Sequence, residues 1–282
     1  MSSELTVIEA RKDSGLERLL EIWKYRGFYG FLLREISMRK FRETILGFWW
    51  LIVRPLIPAI MVIVTFTQVV QVESGELPYA LFFLAGYACW SVFQSTAAFM
   101  PRTLRWMQGI MSKTYFPRLL VPLASVGPPL IELAIALVLL ALGLLYFFII
   151  DGELYVRGDA WVLVFPLCLL GALMLALASG MVTSVLALLA RDVIFSINYF
   201  VQILMFLTPV IYPVSAVPES IRPAMFIINP MSVYVEAARW SLTGHGFFDL
   251  TWFLVAVGIT IFVFSMSVWF FFRSESFLGD TM

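Results

Sequence analysis

The chain has 282 residues, of which 61% are hydrophobic, 16% aromatic and only 13% charged. Soluble domains carry about a quarter charged residues. A mean hydropathy of +0.91 leaves too few polar side chains for a water-facing surface, so the composition places the chain in a membrane. Nineteen basic and nineteen acidic residues cancel, and no net charge points to nucleic acid. Cys89 and Cys168 lie in apolar runs without metal-ligand spacing and read as small buried hydrophobes.

The first 27 residues are polar and charged, with no short apolar core and cleavage site, so the N-terminus is expected to stay in the cytosol. Leu16, Leu19, Leu20 and Trp23 recur at helical spacing opposite Glu17, Arg18, Glu21 and Lys24, which predicts an amphipathic helix. A second such helix uses Met38, Phe41, Ile45 and Trp49 as its apolar face. Arg34, Arg39, Lys40 and Arg42 stay on its wet side, and Glu35 is in reach of Arg39 at i+4. A basic helix running straight into a span belongs in the headgroup layer. Periodicity leaves two roles open for it: a lipid anchor, or a lever joining a cytoplasmic partner to the first span. Residues 1–47 thus form a cytoplasmic interface region and residues 48–282 the transmembrane domain.

Crossing the hydrocarbon core takes about 20 mostly apolar residues. Six stretches qualify, at about 48–71, 79–100, 127–150, 161–189, 194–212 and 249–272. They are continuously apolar instead of alternating, so the expected fold is an all-α integral membrane protein with six transmembrane helices. Sixteen of the nineteen Lys and Arg fall on one side: the N-terminal segment with Arg54, the 101–118 loop with Arg102, Arg105, Lys113 and Arg118, the turn at Arg191, and Arg273. Only Arg157, Arg222 and Arg239 fall on the other, which predicts that both termini are cytoplasmic. The 213–248 segment holds Pro213, Pro218, Pro223 and Pro230, with two apolar pieces broken at Asn229–Pro230 and too short to cross. It reads either as a re-entrant dip from the outer side or as an ordinary outer helical loop. No internal repeat supports the logic of secondary transporters.

Little material for catalysis is present. His245, the single histidine, sits between Gly244 and Gly246 near Asp249 and reads as a solvated loop residue. Gly109–Thr114 lacks the glycines of a phosphate-cradling loop, so neither ATP hydrolysis nor a bound cofactor is expected in this chain. Glu132 is the only acid well inside an apolar run. At the start of the third span it reads as a helix-start acid near the interface, favoured by the helix dipole, ahead of a proton-relay role. Phe195, Tyr199, Gln202 and Phe206 follow i, i+4, i+7 and i+11 in the fifth span, with Asn198 adjacent, and Phe66 and Gln68 lie near the end of the first. Aromatic faces and amides suit a saccharide sliding without a tight site. Helix packing or a lipid belt is the competing account of each residue. Ala172, Ala176, Gly180 and Ser184 form a small-residue stripe that lets another helix approach closely.

Several segments together resemble a known family. They are Arg42–Trp50 followed by Arg54–Pro55, Ala85–Gly86 with Cys89–Trp90, Lys113–Pro117 with Pro122, Arg191–Asp192, and Thr208–Pro213 followed by Val217–Pro218, Asn229–Pro230, Glu236 and Arg239. Their order over residues 28–282 is similar to that of ABC-2 type transporter membrane subunits, most closely the polysaccharide exporters such as O-antigen and teichoic acid permeases. The resemblance implies a permease subunit, not an enzyme, in the cytoplasmic (inner) membrane. It implies a homodimer of six-span subunits with a channel between them, exporting lipid-linked polysaccharide, and two separate ABC ATPase chains that bind ATP and Mg. The lever role is then favoured, with Arg39, Lys40, Arg42, Arg102, Arg105, Lys113, Arg191 and Asp192 coupling to the ATPase. Phe66, Gln68, Phe195, Tyr199, Gln202 and Phe206 would line the channel. Tyr212, Pro213, Asn229, Pro230, Glu236 and Arg239 would belong to a re-entrant segment at the outer mouth. One rival keeps the fold and exports drugs or lipids. Another is a membrane enzyme acting on lipid-linked sugars through Glu236, His245 or Asp249.

Overall fold

A computed structural model describes residues 23–42, 47–70, 77–111, 113–114 and 116–280. All regular structure among them is helical. Helix α1 spans Arg26–Arg42 and α2 spans Trp50–Val64, continued by a π turn at Thr65–Val69. The long α3 covers Tyr79–Met111, the short α4 Leu120–Ala124, and α5 Gly127–Asp151. A 3₁₀ turn at Ala160–Leu163 leads into α6, Val164–Leu189, followed by α7 at Asp192–Leu207. Two shorter helices, α8 at Arg222–Ile228 and α9 at Met231–Thr243, precede α10 at Leu250–Asp280.

Local chemistry explains the ends. Pro128 and Pro129 open α5, where a missing N–H leaves no broken bond. Gly152 (φ 71°) and Gly244 (φ 80°) close α5 and α9 in the left-handed conformation that a side chain resists. Among the described residues, four stretches are long and apolar enough to cross a membrane: Ile52–Val69, Leu120–Asp151, Ala160–Leu189 and Leu250–Ser274. The chain is therefore a multi-pass membrane protein.

Helix α3 is the axis of the bundle, packed by α5, α6, α7 and α9. Its 33 residues extend about 50 Å at 1.5 Å per residue. Protein surrounds it, so it tolerates Ser91, Gln94, Ser95 and Thr96, whereas lipid-facing positions such as Leu142, Leu145 and Ile149 of α5 stay apolar. The α3–α6 pair is the most extensive. There the small stripe Ala172, Ala176, Gly180 and Ser184 is buried, and a Cβ at Gly180 would fall 2.8 Å from Met100 Sδ. Packing is the role of the stripe.

Two cores divide the bundle. One joins the first half of α3 to α9, through residues such as Phe83, Trp90, Tyr234 and Val235. The other joins Leu104 and Met107 of α3 to Leu32 and Ile36 of α1, Leu120 of α4 and Phe271 of α10. Helix α1 and the last turns of α10 therefore share one end of the bundle with Lys113 and Arg191, referred to below as the basic end.

Three local expectations are corrected. The buried face of α1 is Leu32 and Ile36, while Met38 is exposed and Trp49 lies beyond the helix. Its register is set by docking on α4 and α5, not by the span that follows. Ile45 and the amphipathic helix expected around residues 16–22 lie outside the described residues. The loop expected from residue 101 is helix to Met111, because Met100, Leu104, Met107 and Met111 keep one apolar stripe running past Pro101. Finally, α7 stops at Leu207. Thr208 is extended (φ −99°, ψ 136°) immediately before Pro209, as a residue preceding proline prefers.

Helix α1 rests on α5 at Gly127, where a Cβ would lie 2.5 Å from Ser37 Oγ and 2.8 Å from Leu33 Cδ1. Gly127→Leu is expected to push α1 away. Limited proteolysis should then cut α1 faster while the rest of the chain stays intact; an unchanged digestion pattern would place the grip elsewhere.

Candidate functional site

Residues 208–248 fold into a closed anchor at the end of the bundle away from the basic end. Helix α9 is buried continuously from Met231 to Arg239. Glu236 Oε1 and Arg239 Nη1 are 2.8 Å apart, three residues along one helix face, with both side chains essentially inaccessible. Glu236 Oε1 also accepts the Val214 N–H at 2.9 Å, and Oε2 accepts the Phe247 N–H at 3.3 Å. Arg239 Nε donates to Phe82 O at 3.0 Å and Nη2 to Pro209 O at 2.9 Å, and the guanidinium lies 3.6 Å from the Phe82 ring centroid. A buried charge pair is stable only when such surrounding bonds satisfy it. Gly86 makes the space, since a Cβ there would fall 2.7 Å from Arg239 Nη2.

The same region gathers further bonds between distant segments. Tyr79 Oη donates to Ile211 O at 2.8 Å, and Asn229 Nδ2 to Thr208 Oγ1 at 2.8 Å. Tyr212 and Pro213 are half-buried, Pro213 leading into a 3₁₀ turn, and Pro230 is buried at the head of α9. Two of the groups named for an enzyme, Glu236 and Asp249, are committed to structure here. Glu236 is bonded through both oxygens, and the Asp249 carboxylate caps α10 by accepting the Thr251 and Trp252 N–H groups, whereas at His245 it is the backbone N–H, not the imidazole, that donates to Thr243 Oγ1.

The expected channel residues occupy a different surface. Phe195, Tyr199, Gln202 and Phe206 all stand exposed along α7, with Tyr199 68% accessible. Gln68 is exposed in the π turn of α2, where the Val70 N–H reaches back to Thr65 O at 3.0 Å. Phe66 is half-buried and stacks on Tyr79 with ring centroids 5.8 Å apart.

Between α2, α3, α5 and α7 lies a cavity of about 300 Å³ lined by Arg54, Arg102, Glu132, Gln94, Ser95 and Asn198, among others. The Ser95 hydroxyl donates to Glu132 Oε2, and Arg54 Nη1 stands 4.0 Å from Glu132 Oε1. Glu132 thus lies near the start of α5 as expected, but its carboxylate turns toward protein instead of outward. Of this group, the sequence reading singled out Arg54 at the entry to the first span, Glu132 and Asn198, and placed Arg102 in a cytoplasmic loop, without bringing them together. A signal existed: Ser91, Ser95, Ala98 and Arg102 fall at i, i+4, i+7 and i+11 on α3.

The residues assigned to coupling are scattered over the basic end. Arg39 is exposed with its guanidinium 5.6 Å from the Trp106 ring, whereas the side chains of Lys40 and Arg42 lie outside the described residues. Arg102 lines the cavity, and Arg105 Nη1 donates to Ala187 O at 2.6 Å near the end of α6. Lys113, Arg191 and Asp192 are exposed, with Asp192 in the first turn of α7, where the helix dipole favours an acid.

The helical bundle, its proline-broken anchor and the basic end define a class of membrane protein. Residues 28–243, well over half of the chain, match the ABC-2 type transporter family, and the protein belongs to it. It is similar to the O-antigen export system permease protein RfbA of Myxococcus xanthus, 25% identical over 213 residues that cover 75% of this chain and 78% of that protein. Two proteins of the same description from Klebsiella pneumoniae are each 23% identical. Each of those matches covers 73% of this chain and 76% of the relative.

Proposed function

We propose that the chain is the permease subunit of an ATP-driven exporter that moves lipid-linked polysaccharide across the cytoplasmic membrane. The observation that carries this reading is the α7 stripe. Other helices expose aliphatic and aromatic side chains alike, among them Tyr146 and Phe148 of α5 and Phe262 and Trp269 of α10, but α7 adds the amide of Gln202 to an exposed row of Phe195, Tyr199 and Phe206. A glutamine facing hydrocarbon is costly, so this face fits a wet path between subunits better than a lipid boundary. Aromatic rings and amides along it give a glycan repeated, weak contacts. The relatives described as O-antigen export permeases support the same cargo class.

In this reading six spans cross the membrane: α2, α3, α5, α6, α7 and α10. Helices α8 and α9 form a re-entrant plug on the outer side, both termini are cytoplasmic, and two copies pair across the α2 and α7 faces. Two ATPase chains, which bind ATP and Mg, dock at the basic end near Arg39, Lys113 and Arg191. Tagged chain purified in mild detergent should then retain a P-loop ATPase at one-to-one. Recovery of the chain alone, even after crosslinking in cells, would overturn the coupling. Tyr199→Ala with Phe206→Ala should slow appearance of surface glycan about tenfold, since each ring contact contributes about 0.5–1.5 kcal/mol, with the ATPase still bound. Unchanged export would remove α7 from the path. ATPase stimulation by amphipathic drugs but not by lipid-linked glycan would reassign the cargo.

A further inference from the structure

Among the described residues the membrane-spanning bundle holds two arginine–glutamate pairings, and they are built differently. Arg239–Glu236 is closed at 2.8 Å, inaccessible, and surrounded by backbone partners. Arg54–Glu132 is open at 4.0 Å, with Arg54 61% exposed and Glu132 14% exposed, and both line a cavity. A second arginine, Arg102, lines the same cavity and has no hydrogen bond or ion pair among the described residues. The described lining therefore holds two guanidinium groups and one carboxylate, a formal charge of plus one. Ionised groups inside a membrane are expensive, and a surplus cation lining a cavity is the signature of a ligand that completes the charge. A packing role alone would favour the closed geometry seen at Arg239.

We propose that this cavity binds a phosphate or diphosphate group, gripped by Arg54 and Arg102 and tuned by Glu132. Guanidinium forks match phosphate oxygens two bonds at a time. Gln94 adds a donor: its Oε1 accepts the Trp90 indole N–H at 2.7 Å, which turns its NH2 away from that bond. Ser95 holds Glu132 from the far side, so Arg54 can leave the carboxylate for a better acceptor without leaving it unsolvated. All three charged residues lie toward the basic end: Arg54 near the start of α2, Glu132 near the start of α5 and Arg102 in the second half of α3. Phe83 and Tyr87, stacked 5.3 Å apart, line the cavity nearer the start of α3. At about 300 Å³ the space is at the small end of ligand pockets and takes a headgroup, not a chain. The ligand has two candidate sources, the diphosphate of a lipid-linked glycan and the phosphate of a membrane phospholipid. Only the first rests on the export reading.

The test is native mass spectrometry of the full-length chain in nonionic detergent, titrated separately with farnesyl diphosphate and with phosphatidylglycerol. Arg54→Gln and Arg102→Gln should each weaken binding about tenfold, while Glu132→Gln should tighten it severalfold. That opposite sign is what a general packing defect does not produce. Monodisperse elution and a wild-type melting midpoint qualify each variant as folded, with Arg102→Lys as the milder replacement should the glutamine variant fail. Arginine-dependent binding establishes the site in either titration, and the tighter of the two identifies the source. Binding indifferent to both arginines, or weakened equally by Glu132→Gln, would overturn it. Loss of the site with glycan export intact in cells would leave the export reading standing. Arginine-dependent binding in a chain that neither exports nor retains an ATPase would do the reverse.

Discussion

Replacing Arg239 with methionine is expected to remove most of the folded protein. The substitution leaves Glu236 as an uncompensated charge in a site with no accessible surface. It also strips donors from the carbonyls of Phe82, Pro209 and Val210, which belong to α3 and the elbow after α7. Breaking a buried pair in this way costs about 3–5 kcal/mol, against a total stability of about 5–15 kcal/mol for a typical domain. Yield of monodisperse protein by fluorescence-detected gel filtration is the measurement. Glu236→Gln should be milder, because the amide oxygen can still accept the Val214 N–H. Adding Glu236→Gln to Arg239→Met should recover part of the yield by removing the stranded charge. Wild-type yield from Arg239→Met alone would show that the pair contributes nothing to holding α3 and α9 together.

Gly171→Ala is expected to act almost as strongly through a single methyl group. A Cβ at that position would overlap the Tyr234 ring and fall 2.9 Å from its hydroxyl. Tyr234 has no easy retreat. It is 1% exposed, shares a 2.8 Å hydrogen bond with Thr260, and stands edge-on to Phe253. Overpacking of this kind costs about 1–3 kcal/mol, and displacing the ring forfeits a buried hydrogen bond of about 1 kcal/mol more. A fall in melting midpoint is the readout. Tyr234→Leu should be destabilising alone yet less so in the Gly171→Ala background, a coupling that a double-mutant cycle measures directly. Gly258→Ala serves as the contrast, since nothing lies within 4 Å of its Cβ and alanine is the better helix former.

The features legible in the sequence were those carried by local pattern. Apolar runs located the starts of the long helices to within a few residues, though α3 runs eleven residues past its expected end, and Asn229–Pro230 marked the break between α8 and α9. The match to residues 28–243 bears out the family resemblance. What escaped depends on contacts far apart in the chain. The face of α1 follows from Leu32 meeting α4 and α5, which no spacing within residues 26–49 reveals. Glu132 turns inward because Ser95 and Arg54 wait for it on other helices. Glu236 and Arg239 stood out as residues of the family motif and not as a pair; their pairing and burial required Phe82, Pro209 and Val214 to converge from three separate segments.

The position of α3 also constrains how the chain is made. Its sequence carries serines, threonines and glutamine that lipid does not reward, and it is absent from the stretches apolar enough to cross on their own. Yet α5, α6, α7 and α9, the helices that shelter it, are all encoded downstream. While the ribosome is still adding them, α3 is a poorly partitioning segment waiting at the insertion machinery. A nascent chain halted after Asp151 would present α3 without α6 or α9, the natural substrate for a membrane chaperone or a quality-control protease. The axis of the finished protein is in this sense the last helix to become secure.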